Sequence, residues 1–219
     1  MGVNGNGHGH GHGNGRHGTN WPGRALEMLG ATAALVLSLP LLAVGAAAVA
    51  LESGRPVFFG QTRLGKDGKP FRCWKLRTMT TDAEARLSQD SVLRERYREN
   101  GFKIPTEEDP RVTPVGRRLR LRYLDELPQL INVLNGTMSL VGPRPIVPDE
   151  LEHYGSDAAE LLSVKPGVFG AWTARGRDRP DYPERVGVEL EYVRRQSVAA
   201  KLAILARSVP VVLRGQGGA

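Results

Sequence analysis

The sequence predicts an α+β protein, mainly helical. Its parts are a re-entrant, Pro-broken membrane helix near the N-terminus, a small β-hairpin, and amphipathic interfacial helices around a compact cytosolic domain. Three observations predict this. Met28–Leu51, MLGATAALVLSLPLLAVGAAAVAL, carries no charge and is interrupted by Pro40. Two alternating segments flank Asp67-Gly68 in PVFFGQTRLGKDGKPFRCWKL. Apolar residues recur at helical spacing among arginines in RRLRLRYLDELPQLINVL and again toward the C-terminus.

At 219 residues the chain suits one sizeable domain with appendages. The expected division is a tail over 1–21, a membrane helix over 22–54 and a domain over 55–217. The tail, rich in Gly, Asn and His, lacks apolar side chains to bury and is expected to be disordered. His8, His10 and His12 could chelate a metal but have no scaffold to fix them. The charge-free segment follows. It is long enough to cross a hydrocarbon core, but Pro40 divides it into arms of roughly 18 Å, about half a bilayer each. Arg16 and Arg24 precede it, and Arg55, Arg63, Lys66, Lys69 and Arg72 follow. Two basic flanks favour keeping both ends on the cytoplasmic side. A helix that enters and leaves one leaflet satisfies this, whereas a straight span does not; a single-pass helix kinked at Pro40 and a buried core helix are the alternatives.

In the hairpin, Asp67-Gly68 supplies the positive φ angles of a tight turn. Gly60–Lys66, GQTRLGK, has the spacing of a phosphate-binding loop, but Asp67 stands where Ser or Thr should hold Mg²⁺ and a strand follows, so the context is wrong. Thr81-Asp-Ala-Glu84 reads as a capping box that opens one charged helix through about Arg98, and Glu99–Thr113 as a loop. From Glu189 to about Arg214 the pattern is a basic amphipathic helix, suited to an anionic membrane surface, to a packed helix with a solvated face or to a twin subunit in a homodimer. The formal net charge of +7 favours anionic partners. With few aromatics and no zinc-finger spacing, nucleic acid is excluded first. Cys73, the single cysteine, excludes an internal disulfide.

Asp125 and Glu126 are the candidate chemical residues, the alternative being an ordinary helix cap with basic partners. Leu127, Leu130, Ile131 and Leu134 trace a buried helical stripe, and Pro128 is tolerable only in a first turn, so the helix should begin near Asp125. There the helix dipole favours an ionised carboxylate by roughly 0.3–1 kcal/mol, and Arg117, Arg118, Arg120 and Arg122 add to that bias. Pro143 and Pro145 fix a turn around Arg144, followed by Lys165-Pro-Gly167 and Gly176-Arg177. Fixed cations around an acid pair suit a diphosphate with Mg²⁺.

The string LDELPQLINVLNGTMSLVGPRP, together with GQTRLGKDGKPFRCWKLRTM, DPRVTPVGRRLR and KPGVFGAWTARGR in that order, resembles the bacterial sugar transferase family, the monotopic phosphoglycosyl transferases. The likeness covers roughly residues 22–217. It implies an enzyme on the cytoplasmic face of the bacterial inner membrane. That enzyme would move a sugar-1-phosphate from a UDP-sugar to polyprenyl (undecaprenyl) phosphate and release UMP, the initiating step of exopolysaccharide, capsule, O-antigen or glycoconjugate synthesis. Carried over by position, Asp125 would be the nucleophile and would hold Mg²⁺ with the diphosphate, with Glu126 beside it in the dyad. Lys75, Arg77, Arg120, Arg144 and Arg177 would bind substrate. Ser38 and Pro40 sit where the family breaks its helix. Tyr123, Thr173, Arg175, Glu189 and Lys201 depart from the family pattern and bear on donor choice or packing. A nucleotide-sugar hydrolase and a non-enzymatic membrane scaffold are the competing readings.

Overall fold

A computed structural model describes residues 21–215. The His-rich tail, with His8, His10 and His12, lies outside the described residues. Helix α1 (Trp21–Ser53) contains Pro40 within its length rather than ending there. The Ser38 hydroxyl donates to the Leu35 carbonyl at 3.0 Å, just ahead of the proline. At 33 residues α1 is roughly 50 Å long. The segment Gly23–Ser53 is, by length and composition, long and apolar enough to cross a membrane. Leu26, Leu29, Val36, Leu37, Val44 and Leu51 point away from the rest of the protein.

Both arms of α1 nevertheless pack on the same domain. In the first arm Arg24 donates to the Val133 carbonyl at 2.5 Å, and Glu27 accepts from the Leu140 N–H at 2.9 Å and from the Ser139 hydroxyl. Ala31 is buried among Cys73, Leu130, Val133 and Met138. In the second arm Val49 packs with Leu76 and Leu119, and Glu52 accepts from the Val115 N–H at 2.9 Å. Arg77 closes the end of α1: its Nη2 donates to the Ser53 carbonyl at 2.7 Å, the Ser53 hydroxyl at 3.0 Å and the Gly54 carbonyl at 2.8 Å. The cation thereby caps carbonyls that a helix C-terminus leaves without partners.

The hairpin forms as the alternation requires. Strand β1 (Phe58–Leu64) pairs antiparallel with β2 (Pro70–Leu76), and Asp67 and Gly68 take φ of 59° and 72° in the turn. Gly60 lies in β1, which removes the phosphate-loop reading of that stretch. The charged segment that follows is two helices rather than one, α2 (Ala83–Gln89) and α3 (Ser91–Glu99). Asp90 divides them because its carboxylate accepts from the Leu93 N–H at 2.9 Å and starts a new helix. Asp82 at the start of α2 makes no such bond, so the expected capping box is absent.

Helix α4 (Pro114–Leu121) leads to a single 3₁₀ turn, Leu124–Glu126, and then to α5 (Gln129–Leu134), with Pro128 at its N-cap. The acids therefore precede the α-helix instead of opening it. Ile131 is 43% exposed rather than buried. The inward face of α5 carries Asn132, which accepts from the Trp74 N–H at 3.0 Å and donates to the Arg72 carbonyl at 2.8 Å. Its amide takes the place of a neighbouring strand along β2.

Strand β3 (Ser139–Val141), helix α6 (Ala158–Leu161) and strand β4 (Gly167–Phe169) follow, with β3 and β4 paired in parallel, a second small sheet that the sequence reading did not anticipate. The C-terminal helical stretch is also two elements, α7 (Glu184–Arg194) and α8 (Val198–Leu213). Ser197 separates them, its hydroxyl accepting from the Ala200 N–H at 3.0 Å. Ile204 and Val211 of α8 are buried, while Val198, Leu202 and Val209 face outward.

Candidate active site

The dyad is placed by a close approach of backbone to backbone. Thr113 caps α4, its hydroxyl accepting from the Gly116 N–H at 2.9 Å. A Cβ on Gly116 would stand 2.0 Å from the Thr78 carbonyl oxygen, so only glycine lets α4 lie this near the end of β2. One turn on, Arg120 Nε donates to the Thr78 hydroxyl at 2.8 Å. The chain then reverses through Tyr123, a non-glycine residue with φ of 55°, which brings Asp125 inward to 5% exposure. Glu126 accepts from Lys75 Nζ at 3.0 Å and lies 3.9 Å from Arg144 Nη1.

Arg144 is held by the ends of the parallel strands. Gly142 N–H donates to the Phe169 carbonyl at 2.9 Å, and Gly167 N–H to the Pro143 carbonyl at 2.8 Å. A Cβ on Gly167 would fall 2.0 Å from the Gly142 nitrogen. Arg63 donates to the Pro145 carbonyl at 2.9 Å, and the Arg144 N–H to Glu189 at 3.3 Å. Between Pro143 and Pro145 the backbone has little freedom, so the guanidinium is aimed before any ligand arrives.

A cavity of about 310 Å³ collects these groups. Asp125, Glu126, Lys75, Arg77, Arg120 and Arg144 all line it. Arg177 falls in the 3₁₀ segment Thr173–Asp178, and its side chain lies outside the described residues. Of the other arginines beside the dyad, Arg117, Arg118 and Arg122 are exposed, because α4 turns one face inward and Arg120 is on it. Lys165 sits instead beside Arg24 and Glu27 of α1.

The two acids are shifted in opposite directions. Burial pushes Asp125 up to about 6, with Lys75 opposing and Glu126 adding to the rise. Burial also pushes Glu126 upward, but Lys75 and Arg144 outweigh it and hold Glu126 below the usual carboxylate range. The dipole argument therefore fails for Asp125: a single 3₁₀ turn offers little macrodipole, and desolvation dominates.

Several groups at this cavity come from segments that the sequence reading left out of the site. Lys103 pairs with Asp181 at 2.5 Å and lies 5.1 Å from the Trp172 ring centre. Arg179 donates to the Tyr123 hydroxyl at 3.1 Å and lies 4.9 Å from the same ring. Tyr97 and Phe102 add aromatic wall. The signals for these were a cation after Gly-Phe and a second arginine after Gly-Arg, neither informative without the tertiary contacts. Among the described residues, no group of three or more His, Cys, Asp and Glu side chains is placed to hold a metal ion. The hard oxygens of the dyad fit Mg²⁺ where phosphate oxygens supply the remaining ligands.

The family model described as bacterial sugar transferase matches residues 19–215. The chain is 40% identical over 195 residues to the exopolysaccharide production protein ExoY of Rhizobium meliloti (strain 1021), covering 89% of this chain and 86% of that protein. It is 40% identical over 198 residues to the undecaprenyl-phosphate galactose phosphotransferase of Salmonella typhimurium, covering 89% of this chain and 41% of that protein. Against the UDP-glucose:undecaprenyl-phosphate glucose-1-phosphate transferase of Escherichia coli it is 40% identical over 183 residues, 80% of this chain and 36% of that one.

Proposed function

Since the chain belongs to the bacterial sugar transferase family, we propose that it transfers a sugar-1-phosphate from a UDP-sugar to polyprenyl phosphate, releasing UMP and starting an exopolysaccharide or related glycan. The observation that carries this is the cavity itself: a buried acid pair sharing one wall with Lys75, Arg77, Arg120 and Arg144, next to the end of a long apolar helix.

Direct attack of a phosphate anion on a diphosphate meets charge repulsion, and a carboxylate nucleophile divides the transfer into two displacements. In the first, a carboxylate oxygen of Asp125 bonds to the sugar-bearing phosphorus as the bond to the bridging oxygen breaks and UMP leaves. In the second, an oxygen of the polyprenyl phosphate bonds to that phosphorus, the aspartyl bond breaks, and the carboxylate is regenerated. Mg²⁺ held by Asp125 and the diphosphate would offset charge on the transferring group. Asp125 is assigned as the nucleophile because it is the more deeply buried acid, while Glu126 is committed to its ion pair with Lys75. Glu126, ion-paired with Lys75 and facing Arg144, keeps both cations beside the phosphates. Arg144 and Arg120 present planar donors to phosphate oxygens.

The chemistry requires an ionised Asp125, so kcat/KM for the donor should fall as pH drops through about 6. Glu126→Gln removes a like charge and releases Lys75 toward Asp125, which should move that acid limb to lower pH. An unmoved limb would contradict the assignment.

We propose that residues 22–54 form a re-entrant anchor and that residues 55–217 lie on the cytoplasmic face. The packing of both arms of α1 on one domain supports this, because a domain cannot contact helix segments on both sides of a bilayer. The outward Val198, Leu202 and Val209 of α8 would rest in the interface. In a Cys73→Ser background, Ala25→Cys and Ser53→Cys should both be labelled by a membrane-impermeant thiol reagent from the cytoplasmic side alone. Labelling from opposite sides would exclude re-entry.

The function itself is tested with membrane fractions, Mg²⁺, polyprenyl phosphate and a panel of UDP-sugars. UMP release and labelled lipid should appear together. Continuous UMP release at the same rate without polyprenyl phosphate would instead identify a hydrolase.

A further inference from the structure

The cavity is lined by two chemically different groups of residues. Pro56, Phe59 and Leu76 lie beside the end of α1, where Leu76 packs on Val49 and the Arg77 N–H donates to the Val57 carbonyl at 2.9 Å. This is the more apolar side, with Pro56 and Phe59 exposed and Leu76 buried behind them. Tyr97, Phe102 and Lys103 come from α3 and the turn after it. The outer surface of α3 is charged, with Arg94, Glu95, Arg96, Arg98 and Glu99 all exposed, so this side meets water.

The turn is held in a costly conformation. Gly101 and Phe102 both have positive φ, 63° and 59°, and a Cβ on Gly101 would come within 2.8 Å of the Tyr182 ring. A left-handed phenylalanine persists only where its surroundings over-determine it. The Phe102 ring stands edge-on to Tyr97, with centroids 5.8 Å apart and planes at 82°, and also contacts His153 at 5.8 Å. Behind Tyr97 lies Arg111, its charge neutralised by Asp109 through contacts of 2.9 and 2.8 Å. Lys103, next in sequence, lies beside Trp172, as does Arg144. A rigid aromatic wall beside cations matches a flat base joined to phosphates.

We propose that the donor's nucleoside is seated against Tyr97 and Phe102 with Lys103 toward its phosphates, while the lipid-borne acceptor phosphate enters past Pro56 and Phe59. This rests on the transferase reading above and adds to it a direction: the soluble substrate approaches from the α3 side and the lipid from the α1 side.

The test uses the full chain and a UDP-sugar that the wild type turns over. Tyr97→Ala and Phe102→Ala should each raise the donor KM and weaken UMP inhibition about tenfold, within the range of one base-stacking contact. The acceptor KM should stay unchanged, and Tyr97→Phe should behave as wild type. Phe59→Ala should do the reverse, raising the acceptor KM alone. Equilibrium binding of labelled UMP to the solubilised variants repeats the comparison without turnover. Unchanged donor KM and UMP affinity in both alanine variants would overturn the subsite, as would a rise in acceptor KM or equal damage from Tyr97→Phe. A wild type that binds UMP through Tyr97 but transfers nothing would remove the transferase reading and leave the nucleotide seat. Normal transfer with unaffected variants would do the opposite.

Discussion

Asp125→Asn should lower kcat/KM by roughly four orders of magnitude or more, the scale seen when a nucleophile is removed from an otherwise intact site. The substitution is nearly isosteric and removes the cost of ionising a buried acid, so the protein should remain folded and membrane-associated. The two-step reading adds a sharper signature. Given donor and no acceptor, wild type should release a burst of about one equivalent of UMP per enzyme. The peptide bearing Asp125 should then gain the mass of a sugar phosphate. The Asn variant should show neither. An active Asn variant, or a wild type with no burst and no adduct, would end the covalent proposal.

Gly167→Ala should be among the most damaging substitutions outside the dyad. Its methyl group would fall 2.0 Å from the Gly142 nitrogen and 2.6 Å from both the Gly142 Cα and the Val141 carbonyl carbon, all of them backbone. No rotamer change relieves such a contact. Strands β3 and β4 must separate, at a cost of about 3 kcal/mol or more, which for a chain of this size lowers Tm by roughly 6–12 °C. The same movement displaces Arg144, because the Gly167 N–H bonds to the Pro143 carbonyl at 2.8 Å. Turnover should therefore fall even at temperatures where the variant is folded. A thermal shift within about 1 °C of wild type, with normal turnover, would show that the strands accommodate the methyl group and that the close approach is not what aims Arg144.

The parts of this fold that were legible in the sequence are those set by local rules. Asp67-Gly68 dictated a hairpin turn because few other pairs take two positive φ angles cheaply. Met28–Leu51 announced its helix through length and lack of charge. Pro128 signalled a helix start nearby, but the expected start near Asp125 fell a turn early, since α5 begins at Gln129. What stayed hidden depended on competition between local and tertiary terms. Asp90 and Ser197 each end one helix and begin another by capping, inside patterns that read as continuous. The ionisation of Asp125 was misjudged because sequence shows a helix start but not the burial around it. Tyr97, Phe102, Lys103 and Arg179 reach the cavity from segments far from residue 125 in the chain, and no spacing rule connects them.

Arg77 touches both the floor of the reaction chamber and the last carbonyls of α1. One side chain thus ties the end of the long apolar helix to the wall of the cavity that holds the dyad. A shift of α1 against the domain would carry the same guanidinium along, and with it the cavity wall next to the dyad. The position of the apolar helix and the shape of the candidate site are therefore set by one shared contact.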